Sequence, residues 1–593
     1  MQKAEHVLQA LHRLGTKGMP LDRIYRHLYN PDMYLLAYDR IGRHPGSMTP
    51  GVDGKTADGT RLETFEHIIS LMREERYNFK PVKRVYIPKR NGKRRPLGLP
   101  RYADKLVQEV LKLMLESYYE PLFRQSSHGF RPGRGCHTAL KHVHRRFQGS
   151  VWLIEGDISG CFEHIDHEVL LALLRRRIRD GRIIELIRRY LKAGYIEDWK
   201  QYRTYSGTPQ GGVLSPLLAN VYLHELDAYI EDELIPRFTQ GLRRRPNPDY
   251  CHLTYEIEVL RRKGLGKQAS VLETERAQMP SVDTEDPQFR RLSYCRYADD
   301  FILGFIGPKS EAMTIKADLT RFLQERLNLE LSQAKTRITH AKTGHARFLN
   351  YAISTFQSDG YFSRRNGGGR FRSVNGKVRL GIPYGVVDEK CRRYMVRGKP
   401  NHRAELIRFS DAHIIATYQS VYRGIAEYYR FAADRNRLRK LKYVMECSLT
   451  KTLAHKHKIS VLQVYRRYHG RHVVDGHEYK TLQTTVTRSD GETVTIRWGA
   501  ISLKVRKAFE RPIRDALVQS YGRRSDLIQR LVHQRCELCG HTESLEVHHV
   551  RKLTDLKQRW RGRPDKPEWV KTMIAIRRKT LVLCRSCHQE IHR

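Results

Sequence analysis

Apolar and polar positions change period several times along this chain, and each change marks an element. Over residues 82–88, "VKRVYIP" alternates basic with apolar side chains, Asn91 and Gly92 supply a turn, and the alternation resumes. This predicts a basic β-hairpin followed by a helix opening near Ala103. Two apolar runs, "VWLIEGDI" (151–158) and "FILGF" (301–305), predict buried strands among helix-period segments. Together they predict an α+β body reaching to about residue 360, with residues 1–80 as its N-terminal extension rather than an independent domain. A charged, Pro-punctuated stretch from about 228 to 290 reads as a partly helical insertion. The Gly- and Arg-rich segment 361–385 marks a boundary. Helical periodicity with interleaved tyrosines fills 403–470, a Thr-heavy β-rich piece follows at 478–505, and a Cys-bearing tail begins near 531. The chain carries no visible internal repeat.

Charge narrows what such a chain can be for. It has 593 residues, with 109 Lys plus Arg against 64 Asp plus Glu, a formal net charge of +45. Self-repulsion on that scale opposes a compact state unless a polyanion neutralises it, and nucleic acid matches better than an anionic membrane surface. No apolar stretch approaches the roughly 20 residues of a spanning helix, and the N-terminus lacks the apolar core and cleavage site of a signal peptide. The expectation is a soluble, intracellular protein with no membrane partner. Six of the 10 cysteines (136, 161, 251, 295, 391 and 447) are scattered, as reduced, mostly buried thiols are; four come as two pairs near the C-terminus.

The chemistry begins at "CRYADDFILGF" (295–305), where Asp299 and Asp300 lie between two predicted strands. A plain β-turn that uses Asp accounts for these two alone. Asp157 changes the weighing, because it too ends a buried apolar strand, 142 residues upstream. Acids converging from two strands can hold hard cations, and a two-metal site can activate a 3′-hydroxyl and steady a leaving pyrophosphate. The acids therefore look like the metal grip of a nucleotidyl transferase.

Tyr297-Ala298-Asp299-Asp300 resembles the YADD box of reverse transcriptases. "SHGFRPGRGCHTAL" (127–140), "EGDISGCFEHIDH" (155–167) and "TPQGGVLSPLLANVYLHELD" (208–227) resemble, in order, the blocks of the group II intron-encoded reverse transcriptase/maturases of the mitochondrial-like bacterial lineage. The resemblance implies a multidomain α+β protein: right-hand polymerase fingers and palm (81–360), an α-helical thumb or maturase domain X (361–485), a basic DNA-binding region (486–530) and a zinc-stabilised HNH (ββα-metal) endonuclease (531–593). It implies Mg2+ at Asp157 and Asp299, with Asp300 as the neighbouring catalytic acid. Phe162 matches the gate that excludes a 2′-hydroxyl, so dNTPs are the substrates. Lys89 and Arg95 match residues that neutralise the triphosphate, Gln210 and Gly211 the contact to incoming nucleotide and primer-template, and Lys335 a proton donor to pyrophosphate. One departure is "FLNY" (348–351), where the family shows FLGY. In the helical basic segment, Arg423, Arg430, Lys440 and Lys456 are the candidate phosphate contacts to intron RNA.

The tail adds a second chemistry. Cys536, Cys539, Cys584 and Cys587 form two CxxC pairs, which read as a structural tetrathiolate zinc site. Neither pair sits between the strand and helix of a thioredoxin-like redox unit. "LEVHHVRKL", together with His588 and His592 spaced i and i+4 on one helical face, resembles the HNH nucleases. That resemblance makes His549 the general base and His548, His588 and His592 ligands of Mg2+ or another divalent ion. Where many HNH domains show Asn, Thr580 is the nearest residue.

The expectation is thus a ribonucleoprotein enzyme of the bacterial cytoplasm or nucleoid. It binds its own intron RNA, promotes splicing and reverse splicing, nicks the second strand of a double-stranded DNA target and copies the RNA by target-primed reverse transcription; a homodimer is left open. The rivals are a domesticated or host-defence reverse transcriptase, against which the complete nuclease tail argues, and a non-catalytic RNA-binding splicing factor, against which the intact acids and cysteines argue.

Overall fold

A computed structural model of the protein describes residues 3–42, 44–88, 92, 94–197, 200–202, 204, 206–207, 211–358, 361–364, 370–372, 374–487, 493–504, 526–560, 565–576 and 578–592. We use α1 for Pro31–Gly42, β1 for Val82–Pro88, β2 for Arg94–Leu99 and α2 for Tyr102–Tyr119. The central elements are β3 (Trp152–Asp157), α3 (Ser215–Ala228), β4 (Arg291–Tyr297), β5 (Asp300–Ile306) and β6 (Ile338–His340). Further on come α4 (Asp411–Tyr428), α5 (Leu438–His457), β7 (Leu545–His549), β8 (Thr580–Cys584) and α6 (Arg585–His592).

The basic alternation at 82–99 folds as the antiparallel hairpin β1–β2, with Ile87 opposite Arg95. A strand at Tyr195–Glu197 joins β1 in parallel, and Lys200–Tyr202 closes that sheet. Helix α2 starts at Tyr102, one residue before the predicted opening, and nearly its whole length is buried. Among its buried polar residues, Asp104 accepts from Tyr77 and Lys105 donates to the carbonyls of Gly46 and Thr49, and the N-terminal helix Ala4–Thr16 buries Val7, Leu8 and Leu11 in the same core cluster. Residues 4–80 are therefore continuous with the body behind them.

The two predicted apolar strands sit side by side. A four-stranded sheet runs β4-β5-β3-β6, with β3 antiparallel to both neighbours, and Asp157 stands directly across from Asp300. Burial of both faces of β5 explains its unbroken apolar sequence.

The insertion is shorter than its composition predicts. Beyond α3 the chain continues helically through Leu234, burying Ile230 and Leu234 in the core. Its neck is the pairing of Gln240 with Arg290, which exchange both backbone hydrogen bonds at 3.0 Å. Helices Pro248–Arg262 and Gly266–Gln278 lie between these points.

A second core gathers α4 and α5 around Tyr418, Tyr422, Leu441 and Leu449. The three-stranded sheet of His469–Val474, His477–Thr487 and Thr493–Trp498 packs onto it. The boundary expected at 485 falls inside this sheet. The reason is Trp498, fully buried against Tyr422 with its Nε1 donating to Glu446 Oε2 at 3.1 Å. Much of the basic DNA-binding region expected at 486–530 lies outside the described residues, at 488–492 and 505–525. At the C-terminus β7 and β8 pair antiparallel and α6 follows at once, a ββα unit.

Candidate functional site

The turn that joins β4 to β5 holds Ala298 and Asp299, with Ala298 at φ 57°. A left-handed non-glycine residue persists only where its surroundings over-determine it, and here they do. Arg296 is completely buried; its Nη1 donates to the Ala298 carbonyl at 2.9 Å and to Asn220 Oδ1 at 3.1 Å. Its Nε and Nη2 grip Asp227 at 2.7 and 2.6 Å, and Tyr294 Oη donates to the same carboxylate at 2.8 Å. From outside, residues 126–128 pair with the backbone of Arg296. Gly129 follows so tightly that a Cβ there would lie 2.3 Å from the Ala298 nitrogen. Arg296, Asp227 and Asn220 escaped the sequence reading; the signal was an arginine beside Cys295 and Tyr294 in a strand that leads to the paired acids.

Carboxylates thus meet at the ends of β3 and β5. Burial, then the charges of Asp299 and Asp157, push the Asp300 carboxyl up to about 7. Burial and Asp157 raise Asp299 as well, opposed by the positive charge of Arg95. Lys335 Nζ lies 2.7 Å from Asp157 Oδ2, and this hydrogen bond raises the lysine's pKa. Asp157, Asp300 and Lys335 share one cleft of about 620 Å3 with Arg337, His345 and Arg347, whereas Asp299 stands in the turn outside its lining. Clustered oxygen donors that resist ionising together are the donor set a hard divalent cation relieves.

Around this centre, Phe162 is half-buried beside Phe130, ring centroids 5.9 Å apart. Arg95 is exposed on β2. Gly211 has φ 106°, and a Cβ there would strike the Gly98 carbonyl at 2.4 Å, so its small size serves packing against the basic hairpin. Lys89 and Gln210 lie outside the described residues.

On the helical region, Arg423 is exposed on α4. Arg430 follows that helix, with its guanidinium over Phe431 and Glu427 3.8 Å away. Lys440 pairs with Asp388 at 2.6 Å on the surface. Lys456 is engaged within the protein. Together with His457 and Tyr468 it grips Asp411, at 2.5, 2.9 and 2.6 Å, tying the start of α4 to the end of α5.

Among the described residues two groups of side chains are spaced to hold a metal ion. One is Cys536, Cys539, Cys584 and Cys587. Cys539 Sγ and Cys584 Sγ are 3.6 Å apart, far beyond a disulfide bond and close to the sulfur spacing of about 3.8 Å that tetrahedral zinc–thiolate bonds of about 2.3 Å require.

The other group joins His548, His588 and His592 with Asp58, a residue from the opposite end of the chain. Their neighbour His549 is buried, its Nε2 2.7 Å from Tyr38 Oη on α1. Burial pushes that imidazole down to about 4. Thr580 is its partner in the β7–β8 register and accepts from Arg530 Nη2 at 3.0 Å. The reading of the tail found all three histidines but not Asp58 or Tyr38, which carry no local signature.

Comparison with known proteins matches three families in chain order. Residues 87–353 match the reverse transcriptase (RNA-dependent DNA polymerase) family, 386–506 the type II intron maturase family, and 536–588 the AI2M/AI1M-like HNH endonuclease family. The chain is 39% identical over 591 residues to the group II intron-encoded protein LtrA of Lactococcus lactis subsp. cremoris, covering 96% of this chain and 95% of that one. It is 33% identical to an uncharacterized 91 kDa protein in the cob intron of Schizosaccharomyces pombe, covering 100% of this chain and 73% of the relative. Identity to the putative COX1/OXI3 intron 1 protein of Saccharomyces cerevisiae is 30%, covering 95% of this chain and 68% of that protein.

Proposed function

The chain belongs to the group II intron-encoded proteins, reverse transcriptases and maturases with an HNH endonuclease domain, and from that membership we propose how its residues divide the work. The β1–β2 hairpin with its neighbouring strands acts as fingers, the β4-β5-β3-β6 sheet as palm and the α4–α5 region as thumb and maturase domain. The observation that carries the polymerase assignment is Asp157 facing Asp300 across β3 and β5, with Lys335 2.7 Å from Asp157.

Asp157 and Asp299 would hold Mg2+, with Asp300 completing the negative field. The bound ions would align a primer 3′-hydroxyl with the dNTP and steady the departing pyrophosphate. Arg95 offers a planar fork to triphosphate oxygens. Lys89 and Gln210 would add contacts to the same nucleotide, and Gly211 keeps the loop against the fingers strand. Phe162 would stack beneath the sugar and leave no room for a 2′-hydroxyl. With its pKa raised by the hydrogen bond to Asp157, Lys335 would keep its proton and give it to pyrophosphate.

The thiolates Cys536, Cys539, Cys584 and Cys587 would bind structural Zn2+ and fix both ends of the ββα unit. His548, His588 and His592 would hold a divalent ion, Mg2+ among the candidates, that stabilises charge on the scissile phosphate. His549, neutral at pH 7, would accept a proton from the attacking water. Arg423, Arg430 and Lys440 are the proposed phosphate contacts to intron RNA. Lys456 is kept in that set only as the residue that braces α4. Partners are the intron RNA, a double-stranded DNA target and dNTPs; by target-primed synthesis, the nick supplies the 3′-hydroxyl that starts the copy. Among the described residues no helix is long and apolar enough to cross a membrane.

An RNA-templated dNTP-incorporation assay tests the polymerase assignment: Asp299→Ala should fall to background, and retained synthesis would remove it. His549→Ala should abolish nicking of target DNA while binding persists; unchanged nicking would take that residue out of the role of base.

A further inference from the structure

The nuclease site is built from two ends of the chain. Residues 58–60 pair with the outer edge of β7: Gly59 N donates to the Val547 carbonyl at 3.0 Å, and Val547 N donates to the Thr60 carbonyl at 3.1 Å. That backbone pairing delivers the Asp58 carboxylate among the histidines. Its Oδ1 accepts the His549 backbone N–H at 2.7 Å and lies 3.3 Å from both His548 Nδ1 and His588 Nε2; its Oδ2 lies 2.9 Å from His592 Nε2. One ligand atom from each of these four residues lies within 4.8 Å of every other.

The surroundings suit a cation at their centre better than three separate ion pairs. Both ring nitrogens of His548 are buried without a hydrogen bond, although Asp58 is adjacent, so the imidazole faces the carboxylate in an orientation that makes no hydrogen bond. His588 Nδ1 is taken by Glu546 Oε2 at 2.5 Å, and Glu546 is in turn paired with Arg61, three residues after Asp58. A carboxylate on the far nitrogen is the usual way to orient a metal-binding histidine, leaving Nε2 toward the ion. Here that second partner is anchored by the same N-terminal segment.

We propose that Asp58 is the fourth protein ligand of the divalent ion at the nuclease site, supplied by the N-terminal part of the chain to a centre whose other ligands are His548, His588 and His592. The proposal rests on the reading of those three histidines as the nuclease metal ligands. Its consequence follows from coordination: four protein ligands would leave a tetrahedral ion no position for substrate, whereas a six-coordinate ion such as Mg2+ would keep open positions. Tyr38 Oη, 2.7 Å from His549 Nε2, engages a nitrogen of the neighbouring histidine as well.

The test is Co2+ binding to the zinc-loaded full-length chain, followed by the visible band of four-coordinate cobalt, which six-coordinate cobalt on oxygen ligands shows only weakly. Asp58→Asn should bind more than about 100-fold more weakly, beyond the roughly 10–100-fold that loss of an outer-shell partner brings, and its four-coordinate band should fall. Wild-type affinity and band in Asp58→Asn, with both lost in His588→Ala, would overturn the proposal and leave a three-histidine centre. If His588→Ala also binds as wild type does, the reading of the nuclease site fails and this proposal with it. Should Asp58→Asn fail to retain zinc, hydrogen exchange of residues 53–61 in the wild type decides. Slowing on Co2+ addition, absent in His588→Ala, supports the bond, and no slowing overturns it.

Discussion

At the residue scale, the turn that carries Ala298 and Asp299 depends on a buried ion pair. Arg296 and Asp227 are both 0% exposed, and the guanidinium that neutralises Asp227 also holds the Ala298 carbonyl. Arg296→Met would leave Asp227 buried and unpaired, a change that typically costs about 3–5 kcal/mol. The expected outcome is a lowered urea midpoint for the polymerase body together with lost synthesis; Arg296→Met with Asp227→Leu should recover midpoint but not activity. A second residue effect is pH dependence. His128 and His142 pack ring to ring at 5.4 Å, and burial lowers them to about 3 and about 4. An unfolded histidine takes up its proton near pH 6.5. Their contribution is therefore fully present above about pH 6.5 and is lost as pH falls from there towards 4. Stability should drop on the order of 1 to 2 kcal/mol per histidine between pH 7 and pH 5. Urea titrations at the two pH values check this, and His142→Gln should flatten the dependence.

At the scale of elements, local pattern was a good guide wherever an element is made by neighbours in sequence. The alternation of 82–88 and the turn at Gly92 imply β1 and β2, and the apolar runs imply β3 and β5. Burial across sequence decided two boundaries: Ile230 and Leu234 extend the α3 helix into the core past the start of the insertion that pattern predicts, and Trp498 draws its strand onto α4 past the boundary at 485 that the resemblance implies. The ββα unit has the same character, since its two knuckles are legible as CxxC pairs with 44 residues between them, yet only the hairpin brings them together. The proposed zinc would tie the two knuckles together. Chelation of zinc should abolish nicking and expose residues 536–592 to protease, while RNA-templated synthesis by the same sample continues. Parallel loss of both activities would show that the C-terminal unit supports the polymerase body as well.

At the scale of the molecule, a net charge of +45 sets how the protein meets nucleic acid. Affinity for RNA should fall linearly on a log–log plot against salt. A footprint of 6–10 phosphates predicts a loss of about 10^3–10^5 between 50 and 200 mM salt. Arg423→Ala should reduce the slope by about one contact, whereas Lys456→Ala should act by loosening α4, because its ammonium is engaged with Asp411. The fold also joins the chain's ends, placing Asp58 and Tyr38 against residues 491 and 511 positions away.

The sequence by itself determined the strands, the basic hairpin, the acids at strand ends, the thiolate pairs and the surplus of charge, because each is a matter of local periodicity, spacing or simple counting. Only the tertiary structure decided which carboxylate faces Asp157, which arginine is buried to hold the turn, which lysine is engaged internally, and that Asp58 reaches the nuclease histidines. Those are choices of partner between distant segments. Packing and backbone pairing make them after the elements have formed, and no local pattern encodes which surface another element will bury.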